Sequence, residues 1–498
     1  MVEREVKLAV PVGFRLPVLD GAGDGFLAEP QPVRRYTTTY WDTSDLRLAR
    51  WGASLRYRDD EGWTVKLSSE RLGSLLVREE HTFQGTPRKV PADALDLVRP
   101  FVRSAEVAPV ARLRAVRRPV ALRSAAGEEL AEVVDDEVRI IEADGRRVAD
   151  RFREVEVELA EHARPDTLDR VLAHLRQAGA REVGPEAPSK YQRALASREV
   201  GPPELTLPEL PDDASVEDLL RYDLIASVLR LFRHEAAVRI GEDPEGVHQA
   251  RVACRRIRST LRTFSSVLEP EWTTRLRDEL KWLANLLGGV RDADVLLARL
   301  EGGLATLPEA DQRAGRRLLA GLATERDADR ARLIEAMGEQ RYTRLLDDLV
   351  AAATSPAVLA DGARPAADVV RPLVAAAFRK LRKAVRNAGD EPTDEALHNI
   401  RIRAKRCRYA AEAVAPVIGK PARRLGEAAA DLQDVLGEQH DAVVAEAWLR
   451  QAVRAHRREE ALVAGELVCL QRATAAEARS SWPKAWKACS AKRVTSWF

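Results

Sequence analysis

Hydrophobic and polar residues alternate one by one in short runs through the first two hundred positions. The runs Val2–Leu8, Ser54–Arg58, Trp63–Leu67, Leu76–Phe83 and Val155–Leu159 all keep a period of two, which turns successive side chains to opposite faces of a strand. Turn signals at Asp60-Glu61-Gly62 and Ala143-Asp144-Gly145 separate strand candidates. Many antiparallel strands with one polar face predict a closed or nearly closed barrel. Residues 201–213 hold four prolines, which block both helix and central strand and mark a linker. Beyond it the period becomes helical, as in Leu219, Leu220, Leu224, Val228 and Leu231, and again in Leu280, Leu283 and Leu287. The reading is an α+β chain of two domains, a β domain over 1–200 and an all-α domain over 214–480. A basic and aromatic tail over 481–498 is expected to pack on the helical half or to be disordered.

The helical half repeats itself. The segment His248, Arg251, Val252, Arg255, Arg256, Arg258 reappears as His398, Arg401, Ile402, Lys405, Arg406, Arg408. Further on, Leu287, Gly288, Arg291, Asp292 and Ala293 are echoed by Leu436, Gly437, His440, Asp441 and Ala442. Two matched motifs at nearly the same offset predict a duplicated helical bundle about a pseudo-twofold axis.

Composition narrows the chemistry. The 498 residues suffice for two or three cores, and 45% hydrophobic with 32% charged content describes a soluble protein. A net charge of +2 means that any anion-binding surface comes from local segregation of charge. The four cysteines form no C-x-x-C pair, which argues against a disulfide framework or a zinc site and fits a reducing cytoplasm. No signal peptide and no membrane span are read, so a cytoplasmic location is expected.

Charge also fills one face of strand after strand. Glu3, Glu5 and Lys7 share a face, as do Arg56 and Arg58; Lys66 lies on the next strand, and Glu156 with Glu158 repeats the E-x-E pattern. Arg112, Arg114 and Arg118 have one parity, and Lys190 follows late. Enclosed charges cost several kcal/mol each unless partnered. Around a hard cation and a phosphate chain they satisfy one another, carboxylates taking the metal and guanidinium forks the phosphoryl oxygens.

These residues, in this order, resemble the CYTH superfamily, the triphosphate tunnel metalloenzymes, over roughly residues 1–195. The likeness rests on the opening Glu3, Glu5, Lys7, on Trp41-Asp42-Thr43 before Arg56 and Arg58, on Glu156 and Glu158, and on Ser189-Lys190-Tyr191. It implies an antiparallel eight-stranded barrel forming a tunnel. Glu3, Glu5, Glu156 and Glu158 would hold Mg²⁺ or Mn²⁺, and Lys7, Arg56, Arg58, Lys66, Arg114, Arg118 and Lys190 would bind phosphate. The family also implies a catalytic acid from Glu79-Glu80, with Glu80 preferred, and one from Asp135-Asp136, with Asp136 preferred, joining Glu3, Glu5 and Lys7. Which of Arg112, Arg114, Arg117 and Arg118 enter the tunnel depends on register, since a slip of one residue swaps the set.

On a helix, His248, Arg251, Arg255, Arg258 and Arg262 fall on one stripe, and His398, Arg401, Lys405 and Arg408 repeat it with Glu412 in the fifth place. Like charges one turn apart destabilise a helix unless an anion neutralises them. This half resembles the CHAD domain over roughly residues 214–480. The resemblance implies a basic groove binding inorganic polyphosphate through His248, Arg251, Arg255, Arg258, His398, Arg401, Lys405 and Arg408. The leading expectation is a metal-dependent triphosphatase, acting on inorganic triphosphate or a related compound, tethered to a polyphosphate-binding module. The alternatives are a non-catalytic adaptor localised to polyphosphate granules and an adenylate cyclase-type activity. Specific nucleic-acid binding is not expected, because no aromatic stacking platform is interleaved with the cations.

Overall fold

The computed structural model describes the chain except residues 1, 12, 23–25, 68, 69, 73, 74, 143–146, 161, 162, 164, 184–187, 456 and 457. Side chains are further undescribed at 2–5, 21, 22, 70–72, 75–78, 165 and 455. The turn expected at Ala143-Asp144-Gly145 and the side chains of Glu3 and Glu5 therefore lie outside the described residues. The chain forms two compact units, Met1–Pro203 and Glu204–Phe498, and residues 201–213 carry no helix or strand.

The first unit is one antiparallel sheet of eleven strands. They are β1 (Val2–Ala9), β2 (Leu27–Pro30), β3 (Arg34–Asp42), β4 (Ser54–Arg58), β5 (Gly62–Lys66), β6 (Glu70–Leu72), β7 (Leu75–Phe83), β8 (Ala108–Arg123), β9 (Glu129–Ile141), β10 (Val148–Leu159) and β11 (Arg181–Glu182). The order is β11-β1-β10-β9-β8-β3-β4-β5-β7-β6, with β2 on β8 and an added pairing of β1 with β7. The expected eight-stranded barrel is right in outline. Eight strands follow one another around the site, but β2, β6 and β11 extend the sheet, so it is not a plain closed eight-stranded barrel. The hairpin between β4 and β5 turns at Gly62, where φ is +91° and an added Cβ would stand 3.1 Å from the Phe83 carbonyl oxygen. Only glycine suits that turn.

Five helices accompany the sheet: α1 (Arg47–Arg50), α2 (Ala92–Leu97), α3 (Arg99–Val102), α4 (Pro165–Gln177) and α5 (Lys190–Ala194). Val6 and Leu8 of β1, Val155 and Val157 of β10 and Val133 of β9 pack with Val171, Leu172 and Leu175 of α4. Burying that face of alternating strands leaves their charged positions on the opposite, concave side. One part of the concave side is itself apolar, where Tyr36, Tyr40, Leu113, Val138 and Ile140 meet Tyr191 and Leu195.

The second unit is helical: α6 (Val216–Ile240), α7 (Pro244–Thr263), α8 (Pro270–Leu304), α9 (Glu309–Gly338), α10 (Gln340–Thr354), α11 (Ala366–Ala388), α12 (Asp394–Ile418), α13 (Lys420–Ala452), α14 (Arg458–Cys489) and α15 (Lys492–Thr495). Several of the long helices start or stop on local chemistry. Ser215 caps α6 in a capping box with Asp218, and Gly241 ends it at φ 78°. The duplication is visible at the backbone. Val216 N–H donates to the Arg364 carbonyl at 3.0 Å and Ala366 N–H to the Ala214 carbonyl at 2.9 Å, so the starts of α6 and α11 bind each other reciprocally. Packing repeats likewise, α7 lying on α8, α12 on α13, and α7 on α12. The expected boundary at residue 480 is absent, since α14 runs through it to Cys489. Trp486 stacks on Phe378 with ring centroids 5.9 Å apart and Phe498 lies 5.6 Å from the same ring, so these residues belong to the helical unit. Among the described residues, no helix is long and apolar enough to cross a membrane.

Candidate functional site

Strand register builds the first site. Lys7 stands opposite Glu156, Glu154 opposite Asp136, Asp136 opposite Arg117, and Lys66 opposite Glu80. Residues directly opposite on paired strands share a face. Lys190 Nζ lies 2.6 Å from Asp136 Oδ2, 3.0 Å from Glu154 Oε1 and 3.1 Å from Glu156 Oε2. Lys7 Nζ donates to Glu156 Oε1 at 2.6 Å. Arg117 grips Asp136 with two parallel bonds of 3.0 and 2.7 Å and reaches Glu156 at 3.4 Å. Across the face, Glu80 accepts from Arg56 at 3.2 Å and also pairs with Lys66. Arg58 is buried, its guanidinium 3.8 Å above the Tyr36 ring, and is held by Asp60 and Glu61 of its own hairpin at 2.8 and 2.7 Å.

These pairs decide the charge states. Burial opposes ionisation of Glu156, but Lys190, Lys7 and Arg117 outweigh it and hold its carboxyl well below the ordinary range. Asp136 is lowered in the same way, burial opposing and Lys190 and Arg117 prevailing. Burial also disfavours the Lys190 ammonium, yet Asp136, Glu156 and Glu154 push its pKa well above the usual value. Asp136, Glu156 and Lys190 therefore stabilise one another's ionised forms on the concave side.

The motif around Lys190 shows how the chain aims it. Ser189 caps α5, its hydroxyl accepting from Gln192 N–H. Tyr191 stacks on Tyr40 with centroids 4.5 Å apart, and its hydroxyl donates to Asp42 Oδ2 at 2.6 Å. Asp42 is fully buried and also accepts from the N–H groups of Thr43, Leu48 and Ala49 at 2.7, 2.9 and 3.0 Å. Tyr191 and Asp42 thus anchor the helix that presents Lys190. Tyr191→Phe is expected to lower unfolding free energy by about 1–3 kcal/mol, because a buried carboxylate loses a donor; urea denaturation measures it.

The structure distributes the expected residues unevenly. It brings together Lys7, Lys66, Arg56, Glu80, Asp136, Glu156 and Lys190. Glu158 follows on the same face of β10, opposite Glu5 in backbone register, and Glu3 lies opposite Arg78. Arg114 and Arg118 are on the other side of β8 from Arg117. Arg114 is exposed, and Arg118 contacts Asp135 and Glu137 at 3.8 and 3.4 Å. Their expected place on the concave side is corrected to Arg117 because the pairing Arg117↔Asp136 sets odd positions of β8 inward. Asp135, the other half of its doublet, bonds Arg153 at 2.7 Å on the outer face. Glu154 was absent from the expected set, although its parity with Glu156 and Glu158 is plain in the sequence. Tyr36, amid Asp136, Arg117, Lys190 and Arg58, carried no sequence signal.

A second site lies where α7 packs on α12. Arg251 pairs with Asp292 at 3.1 Å and Arg401 with Asp441 at 3.7 Å. A Cβ at Gly288 would stand 3.7 Å from Arg251 Nε, and one at Gly437 3.8 Å from Arg401 Nε. Each glycine thus clears the helix surface for the arginine to lie across it, which explains why the two distant motifs recur together. His398 Nδ1 is 3.2 Å from His440 Nδ1. Burial, then Arg401 and His398, takes His440 down to about 4. Burial, then Arg401, Arg255 and Arg251, lowers the Lys405 ammonium to about 7. Arg255, whose guanidinium lies 5.3 Å from the Tyr409 ring, has a buried Nε with no hydrogen-bond partner. Cations of both repeats therefore converge. Arg408 is instead bound to Glu412 at 2.6 Å, and Arg258 neighbours Arg277. His248 lies beside Arg291, the counterpart of His440.

Comparison with known proteins matches the CYTH domain to residues 1–194 and the CHAD domain to residues 224–450. Two uncharacterized proteins of Mycobacterium tuberculosis, from strains CDC 1551 / Oshkosh and ATCC 25618 / H37Rv, are each 33% identical over 96% of this chain and 94% of their own length. Among solved structures, PptA from Streptomyces chartreusis is 27% identical over 55% of this chain and 99% of its own, with a TM-score of 0.46. The CHAD domain from the plant Ricinus communis is 30% identical over 59% and 98%, with a TM-score of 0.47. The adenylyl cyclase homologue HpAC1 from Hippeastrum, described as having a dominant triphosphatase activity, is 18% identical over 40% and 97%, with a TM-score of 0.28.

Proposed function

This chain belongs to the family of proteins in which a CYTH domain is followed by a CHAD domain, and from that premise we propose that its first unit hydrolyses inorganic triphosphate or a close relative while its second binds polyphosphate. The observation that carries the hydrolytic reading is the concave face on which Lys7, Arg56, Lys66, Arg117 and Lys190 meet Glu80, Asp136, Glu154 and Glu156. So many opposed charges are costly to hold for structure alone. A triphosphate offers the cations oxygen partners in place of the carboxylates.

The fit to a divalent metal is judged from the donor set. Among the described residues no group of three or more His, Cys, Asp or Glu has metal-holding geometry. The backbone register nevertheless sets Glu5 directly opposite Glu158, with Glu156 next along the same strand face. Oxygen donors alone suit hard Mg²⁺ or Mn²⁺. Glu3, Glu5, Glu156 and Glu158 would hold the ion, which would neutralise phosphoryl charge. Lys7, Lys190 and Arg117 then exchange carboxylate for phosphoryl oxygen and hold the chain in line. Arg56 and Lys66 bind from the opposite wall, and the released carboxylates orient water toward the terminal phosphorus.

Phosphate release from tripolyphosphate with Mg²⁺ or Mn²⁺ tests this. Glu5→Ala is expected to lower the rate by roughly 10²–10³-fold, equivalent to several kcal/mol of lost charge stabilisation. Release by wild type that is unchanged in chelator, or in Glu5→Ala, would refute the proposal. Polyphosphate binding by the second unit is supported by the convergence of Arg251, Arg255, Arg401 and Lys405, whose mutual repulsion a polyanion relieves.

A further inference from the structure

The pseudo-twofold of the helical unit is broken at one pair of positions. Matching His248 with His398 sets Arg256 with Arg406, Arg258 with Arg408, and Arg262 with Glu412. On one side the charges close, because Glu412 accepts from Arg256 Nη2 at 2.6 Å and from Arg408 Nε at 2.6 Å. Gly426 lies against it, where an added Cβ would stand 3.4 Å from Glu412 Cγ. On the other side Arg262 takes the place of the acid, and its electrostatic neighbours are Arg406, Arg277, Arg258 and Arg403. Burial and those four cations bring Arg262 down to about 10.

None of the five has a carboxylate within ion-pair distance among the described residues. Exposed Asp278 offsets Arg258, but less than Arg277 opposes it. The Nε groups of Arg258 and Arg277 are buried and lack hydrogen-bond partners. Guanidinium forks so arranged suit an oxyanion with several charges and several oxygens, which a single carboxylate does not supply.

We propose that Arg258, Arg262, Arg277, Arg403 and Arg406 form a second site for phosphate-rich polyanions, extending the α7–α12 groove on the first repeat's side only. It rests on the reading of that groove as polyphosphate-binding. Arg255, Arg258 and Arg262 share one face of α7 at spacings of three and four residues, about 10 Å in all, and lead from the Lys405 cluster to this one. Short chains fill the groove alone, and long chains reach the arginines.

The test is calorimetric titration of the full-length protein with short-chain and long-chain inorganic polyphosphate. Arg262→Glu rebuilds on this side the arrangement that Glu412 makes on the other, so its Tm is expected to equal or exceed wild type. It should weaken long-chain binding by about 10–100-fold, lessen the slope of log K against log salt by about one to two, and leave short-chain binding unchanged. Arg403→Ala provides a milder second variant with the same signature. Long-chain affinity unchanged in both variants, or an equal loss for short and long chains, would overturn this site alone. Absence of polyphosphate binding by wild type would overturn both this site and the groove reading beneath it.

Discussion

Lys190→Met is expected to remove triphosphate hydrolysis and to destabilise the first unit by about 3–5 kcal/mol, the scale for stripping the partner from a buried charge. Lys190 Nζ contacts Asp136, Glu154 and Glu156 within 3.1 Å, so one substitution leaves three carboxylates competing for Lys7 and Arg117. The pH dependence separates this from a packing loss. In the wild type, Glu156 and Asp136 have folded pKa values below their ordinary ones. Their ionisation therefore favours folding above about pH 4.5, and that contribution is lost as pH falls through the lowered values. Without Lys190, only Lys7 and Arg117 remain to oppose burial, so the folded variant is expected to hold protons on these carboxyls to higher pH than wild type does. The stability gap between variant and wild type is then largest near pH 7.5 and narrows by pH 5. Urea denaturation at the two values measures it; an equal gap at both would show that charge pairing is not what Lys190 contributes.

The second large effect concerns polyphosphate and pH. Lys405 has a pKa of about 7 in the free protein, set by burial and then by Arg401, Arg255 and Arg251, with Asp441 opposing. A bound polyanion restores the ammonium, so above pH 7 binding takes up a proton and affinity falls by up to about tenfold per pH unit. Below about pH 6.5 a separate strengthening is expected as His248, His398 and His440, all lowered in the free state, are recharged by the ligand. Lys405→Arg keeps its charge across this range and should abolish only the alkaline limb, whereas Lys405→Met should bind more weakly throughout without that limb. Titrations with polyphosphate from pH 5.5 to about 9 at constant ionic strength provide the readout. An alkaline limb that persists in Lys405→Arg would assign the proton to another group.

Local periodicity was enough to separate the two units, because a period of two and a period of about 3.6 cannot be exchanged without exposing a core. Val6 and Leu8 had to turn one way, and that sent Lys7 the other. The linear pattern likewise exposed the duplicated helices, since matched arginines, glycines and aspartates recur at one offset. It did not settle register on β8. Arg112, Arg114, Arg117 and Arg118 offer both parities, and only the partner strand, through Arg117 opposite Asp136, makes odd positions concave. Nor could spacing along one helix tell which cations meet across α7 and α12. Arg408 and Arg258 share a stripe position, yet Glu412 neutralises one while Arg277 crowds the other. Side-chain direction within an element is a short-range property of backbone geometry, whereas the partner of each charge is decided by residues far along the chain that packing brings within a few ångströms.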